Sequence, residues 1–385
     1  MYKNMYIAIA TLVGTVIGAG VLGIPYVVAK SGFLTGLLVL LFIGIAVLFV
    51  NLYLGEVVLR TKGNHQLAGY AEVYLGRWGK GLMSFSMIFG IYGALIAYVM
   101  GEGEVLKAIF NNSEIANSLI FFTIVATLVF LGLKTIGKSE LIVTTLVIMI
   151  IVVFFVMSFV SIDVENLTGF NAKNIFLPYG VILFAFIGMA AIPEMKEELA
   201  KNRKQLKKAI MIGSLIPLVV YALFAVTVVG IVGLDWFNLL SQDERIATVA
   251  LSLGMERAIG VIVNLFAVLA MGTSFLTLGL ALKQTFNYDY GMNKNMAWAT
   301  VCAVPLAVFL IDAFISDITS FISALDIAGS VSGGISGILI VLMFWKAKTM
   351  GGRKPEYTLR RSQLWGYILI AMFLFGMAYE LLGLL

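Results

Sequence analysis

The 385-residue sequence has one cysteine, Cys302, and one histidine, His65. A disulfide needs two cysteines and a Cys/His metal centre needs several ligands, so counting excludes both. Charge is almost as scarce, at 12% of residues, against 61% hydrophobic residues and a mean hydropathy of +1.02. So few charges cannot cover a water-soluble domain, and the chain reads as an integral membrane protein. No charge block, low-complexity tail or polar segment of domain size interrupts it, which implies a single membrane domain over residues 1–385. A nucleophile, base and orienting group in a recognisable motif are also missing, so no catalytic residues, cofactor or structural metal are expected. Neither a pore-lining charge ring nor a filter motif points to a channel.

What the sequence does contain is a succession of apolar runs of about 20 residues. They place about eleven spans near residues 5–29, 33–59, 82–109, 117–134, 139–161, 175–196, 208–233, 258–284, 295–312, 318–345 and 364–384. The first follows a lone Lys3 and lacks a small-residue cleavage site, so it is expected to be a retained span and not a signal peptide. With the N-terminus inside, only Lys30, Lys107, Lys173, Arg245 and Arg257 lie outside, which leaves 21 of the 26 basic residues on the inner side. That bias predicts a multi-pass protein of the plasma membrane with a cytoplasmic N-terminus. The net charge of +5 resides in these loops and concerns topology and lipid headgroups, not nucleic acid.

Two spans carry helix breakers at bilayer depth. Residues 14–25 read GTVIGAGVLGIP, and the sixth span, FLPYGVILFAFIGMAAIPEM, holds Gly188 between Pro178 and Pro193. An unwound backbone in hydrocarbon costs several kcal/mol per unsatisfied group, so such breaks imply that a ligand completes them. Amides at Gly18, Ala19 and Gly20 suit a carboxylate, and carbonyls ending the preceding half-helix suit a cation. Each broken span heads a group of five. Because five is odd, the second group starts on the other side of the membrane, predicting inverted repeats over residues 1–161 and 175–345, with 364–384 as an additional eleventh helix.

The segments GTVIGAGVLGIPY (14–26), FAFIGMAAIPE (184–194) and GTSFLTLGLAL (272–282) resemble the amino acid/auxin permease family and its aromatic amino acid permease relatives. These belong to the amino acid, polyamine and organocation superfamily, whose LeuT-type fold is all-α with a 5+5 inverted repeat. The resemblance implies symport of an amino acid with a sodium ion or a proton by alternating access. It implies a sodium cage between the first and eighth spans, built from the carbonyls of Val16, Ile17 and Ala270 and the hydroxyls of Thr273 and Ser274. The residue-level chemistry agrees, since sodium prefers oxygen. Thr273 and Ser274 can instead bond back to their own helix. Val21 stands where sodium-coupled relatives carry an asparagine, which argues against a second sodium. Residues 141–157 lack the lysine that some proton-coupled members use, which tilts the expectation toward sodium.

The resemblance also places a side-chain pocket among the third, sixth and eighth spans, with Tyr92, Tyr98, Phe184, Phe186, Ile187, Gly188, Ser274 and Leu278 as candidates. With no charged anchor among them, a neutral amino acid is the expected substrate. Carboxylates within spans are costly and so mark function. Glu56 has Arg60 within reach and is expected to brace the first helix. Glu102 is the first candidate for a proton carrier. Glu194, near the inner end of the broken sixth span, and Asp326 in the tenth are candidate gates. Another class stays open: a membrane sensor of the germinant-receptor type would bind an amino acid without moving it.

Overall fold

The computed structural model describes residues 2–132, 136–254, 256–288, 290–315, 319–360 and 362–383. The first span is two helices, α1 (Tyr2–Val16) and α2 (Ile24–Lys30), separated by a 3-10 turn at Ala19–Gly23. Four long helices follow: α3 (Phe33–Arg60), α4 (Leu67–Phe110), α5 (Glu114–Leu131) and α6 (Ile136–Ser158). The sixth span is again a pair, α7 (Tyr179–Ala185) and α8 (Ala191–Glu198). Next come α9 (Leu206–Leu239), the short α10 (Ala247–Ser252), α11 (Arg257–Tyr288) and α12 (Lys294–Ile315). Then α13 (Phe321–Ala328) runs through a π-helical turn, Gly329–Gly333, into α14 (Gly334–Met350), and α15 (Gln363–Gly383) follows. Among the described residues, eight helices are long and apolar enough to cross a membrane, the run α13–α14 counting as one. The first span, bent by 45° at its break, makes a ninth.

The breaks fall where the glycines stand. Gly18 is extended (φ −132°, ψ −157°), and Pro25 enters the first turn of α2, where a missing N–H costs nothing. In the sixth span the chain leaves helical geometry after Ala185 and resumes it at Ala191, with Pro193 in the first turn of α8. The third span differs from its expected start near residue 82. Helix α4 begins at Leu67 and turns a corner at Gly76 (φ 74°) before entering the apolar run. Its first turns carry Glu72, Arg77 and Lys80, with Lys80 2.8 Å from Glu72. Hydropathy discards such a segment, but nothing in it prevents a helix.

Helix α4 packs along α5, α11, α13 and α14, while α9 packs along α1, α2 and α3. The two broken spans lie in the core of this bundle. Leu12, Leu22, Ile24, Tyr221, Phe275 and Phe321 are fully buried there, while Phe130, Phe314 and Phe375 on α5, α12 and α15 face outward, as lipid contact requires.

Candidate substrate and ion site

The two interruptions meet. A methyl group on Gly20 would stand 3.0 Å from Ala185 Cα and 3.1 Å from the Phe184 ring, so the unwound first span passes the end of α7 with no room for a side chain. Gly188 in turn lies against Val16 and Leu12 of α1. Ala19 and Gly20 open the 3-10 turn, in which Val21 N–H donates to Gly18 O over 3.4 Å. The amides of Ala19 and Gly20 therefore have no acceptor within that turn and are available to a carboxylate.

The eighth span closes this junction from the α4 side. Gly18 faces Ser274, whose Oγ would be 3.0 Å from a Cβ at position 18. Ser274 lies beside the buried Tyr98 of α4. Gly18, Ala19, Gly20, Phe184, Gly188 and Ser274 are thus brought together, with Tyr98 completing the group. Three other candidates point elsewhere. Tyr92 donates to Thr300 O of α12 over 3.0 Å and lies 6.4 Å from the Phe286 ring, away from the unwound segments. Phe186 turns toward Gly44 of α3 and packs its ring, tilted by 56°, 5.1 Å from that of Tyr221 of α9. Ile187 turns toward Gly333 of the π-helical turn.

Three of the oxygens assigned by resemblance to a sodium cage, those of Val16, Ala270 and Thr273, have protein partners here. Val16 O accepts from the Tyr221 hydroxyl at 2.7 Å and from Gly18 N–H at 3.0 Å. Thr273 donates back to Leu269 O at 2.7 Å and approaches Ala270 O at 3.4 Å. This is the helix back-bonding that the hydroxyl–hydroxyl dipeptide also allowed. Ile17 N–H continues α1 by donating to Val13 O at 2.8 Å.

The carboxylates separate into distinct roles. Glu56 is fully buried and receives Arg60 Nε at 2.7 Å, Lys348 Nζ at 2.5 Å and Leu359 N–H at 2.6 Å. It braces α14 and the segment leading to α15, not the first helix as expected, because its face of α3 packs on α14. Glu102 is also fully buried, but both its carboxyl oxygens lack a hydrogen-bond partner. It sits one helical turn beyond Tyr98 and approaches Gly272 of α11, where Phe121 of α5 also packs. Glu194 is exposed in the first turn of α8 near Glu197 and Glu198. The buried Lys196 next to it is committed to Gly63 O at 2.6 Å and Tyr70 at 3.1 Å.

Asp326 lines a cavity of about 210 Å³ with Tyr26, Lys30, Gln242 and Arg245, and accepts from Val181 N–H at 3.1 Å. Lys30 and Arg245 sit 5.6 and 5.1 Å from the centre of the Tyr26 ring. On its other side Asp326 meets the Glu380 side chain of α15. Sequence reasoning passes over Glu380 and Tyr221. Glu380 carries a usable signal, an ionisable residue in an apolar run, whereas Tyr221 is one hydroxyl among many aromatic residues.

A polytopic helical bundle with two interrupted spans converging at its centre defines a membrane transporter architecture. The chain superposes on the crystal structure of MhsT in complex with L-phenylalanine with a TM-score of 0.70, covering 98% of both chains at 15% identity. The fold is accordingly of the LeuT type. In sequence, the chain matches the tryptophan/tyrosine permease family over residues 1–380 and belongs to that family. Tyrosine-specific transport system 1 of Haemophilus influenzae is 27% identical over 360 residues, spanning 89% of this chain and 88% of its own length. Glutamine transporter 2 of Aliivibrio fischeri is 25% identical over 332 residues, 83% of each chain. The chain is thus a multi-pass membrane permease and not an enzyme.

Proposed function

We propose that this chain is a secondary transporter that carries a neutral amino acid, aromatic ones first, by alternating access and is driven by a cation gradient. The observation that carries the reading is the convergence of Gly18–Gly20 with the end of α7, beside the Tyr98–Ser274 pair. The amides of Ala19 and Gly20 receive the substrate carboxylate, while that of Gly18 is held by Val16 O, and Phe184 supplies an aromatic wall. Tyrosine, glutamine and phenylalanine, the amino acids named with its relatives, are all neutral. The N-terminus is cytoplasmic in this reading. The groups at residues 1–161 and 175–345 act as inverted repeats that rock about the junction, with α15 outside them.

For the driving ion, sodium is the first reading, held by oxygens of Val16, Ile17, Ala270, Thr273 and Ser274 after their present hydrogen bonds rearrange. A specific observation favours a second reading, a proton on Glu102, whose two oxygens are buried without a partner. The test is uptake of labelled tyrosine, tryptophan and glutamine into proteoliposomes under an imposed sodium gradient or an imposed pH gradient. Under the sodium reading, Thr273→Ala combined with Ser274→Ala lowers apparent sodium affinity by about 10-fold or more, as expected for losing two oxygen ligands. Under the proton reading, Glu102→Gln abolishes pH-driven accumulation but leaves exchange of internal for external substrate. Binding without uptake under either gradient would make the protein a sensor and overturn the carrier reading.

A further inference from the structure

Helix α1 ends at Val16 and α7 ends at Ala185. Carbonyls at the C-terminal end of a helix are unpaired within it and carry the negative end of its dipole. In this bundle both ends point at one atom. The Tyr221 hydroxyl of α9 lies 2.7 Å from Val16 O and 2.9 Å from Ala185 O. Tyr221 is fully buried, and its ring is set by Phe186, 5.1 Å away at 56°. Carbonyl oxygens only accept and a phenol has one proton, so a single O–H serves two carbonyls. Without it, two carbonyl dipoles would face each other in a buried core, with Val16 O left only the Gly18 N–H at 3.0 Å and Ala185 O without this donor. A small hard cation is the other species that would stabilise such a pair.

We propose that the Tyr221 hydroxyl is a built-in stand-in for a cation, a positioning residue that clamps the ends of α1 and α7 together and whose removal opens a position that sodium can fill. The inference extends the carrier reading, because the clamped ends border the junction assigned there to the substrate. It further explains how two interrupted helices stay in register when no ion is bound. It also means that sodium can use the Val16 carbonyl only by competing with Tyr221.

The test needs no transport, so its failure is separable from failure of the carrier reading, which uptake decides. Apparent melting temperature of the purified full chain is measured in sodium chloride and in choline chloride at equal ionic strength, for the wild type and for Tyr221→Phe. The phenylalanine variant is expected to gain from sodium about 3 °C or more beyond any gain of the wild type, since ligand binding to the folded state raises its apparent stability. Equal stability of the variant in both salts, whether lowered or not, would overturn the proposal. If the phenylalanine variant cannot be purified, Tyr221→Gln decides, because its amide returns N–H donors. A glutamine variant that is stable and no more sodium-responsive than wild type supports the clamp. One that needs sodium, or that fails in both salts, overturns it.

Discussion

Replacing Gly20 with leucine is expected to abolish amino acid binding while leaving a folded membrane protein. A Cβ at this position would already stand 3.0 Å from Ala185 Cα, 3.1 Å from the Phe184 ring and 3.2 Å from Ala185 Cβ. All three atoms belong to the end of α7, and two of them are the Cα and Cβ of Ala185, which cannot swing aside as a flexible side chain would. Leucine must push the first span and α7 apart at the point where the proposed carboxylate site is assembled. Because the amides are useful only at hydrogen-bond distance, a displacement on the order of 1 Å removes most of their contribution. An affinity loss of about 100-fold or more, equivalent to about 2.7 kcal/mol, is expected for every amino acid that the wild type binds. Equilibrium binding or ligand-induced thermal shift would measure it. Gly81→Ala serves as the control, because no atom lies within 4 Å of a Cβ added there. Wild-type affinity in the Gly20 variant would remove the junction from the binding site.

The second large effect is expected at Glu56 and concerns stability. Its carboxylate is fully buried and satisfied by three donors, from Arg60, Lys348 and the backbone of Leu359. Substituting alanine leaves a nearly buried ammonium and a guanidinium facing a space without countercharge. Breaking one side of a buried pair typically costs about 3–5 kcal/mol. Lys348 keeps Leu359 O at 2.6 Å, so it loses its charge partner but not every hydrogen bond. Glu56→Ala should accumulate poorly in membranes and melt well below the wild type. Adding Lys348→Met should restore part of the loss, since the lone charge and not the lost pair is the larger penalty. A single variant as stable as wild type would show that water reaches Glu56 and that the brace is not buried in practice. The same substitution should leave substrate affinity of the surviving folded fraction unchanged, because Glu56 lies outside the junction of the broken helices.

The contrast between Tyr92 and Tyr98 shows where sequence reading of this site stops. Both tyrosines sit in the same apolar helix, and the resemblance makes both pocket candidates. Six residues at about 100° each put them about 240° apart around the helix, so they cannot serve the same face. Tyr98 meets Ser274 at the junction, and Tyr92 turns to Thr300 of α12. Periodicity cannot choose between them, because α4, α9 and α11 are apolar on all sides and carry almost no contrast between faces. In lipid the outward face is as apolar as the packed one, so the pattern that marks the core of a soluble helix is absent. For the same reason Tyr221 could not be singled out.

Two features were settled locally and were therefore legible. The sequence by itself determined where most of the long apolar helices lie, because partition into a membrane depends on the composition of about 20 consecutive residues. It also determined where helices fail, because Gly18, Gly20, Gly188 and the flanking prolines act on their own backbone. Only the tertiary structure decided which side chains face the junction, which carboxylates find partners, and that one phenol serves the ends of two distant helices. Those outcomes depend on how each helix is rotated against its neighbours. That rotation follows from packing among nearly uniform apolar surfaces, and no single stretch of sequence contains it.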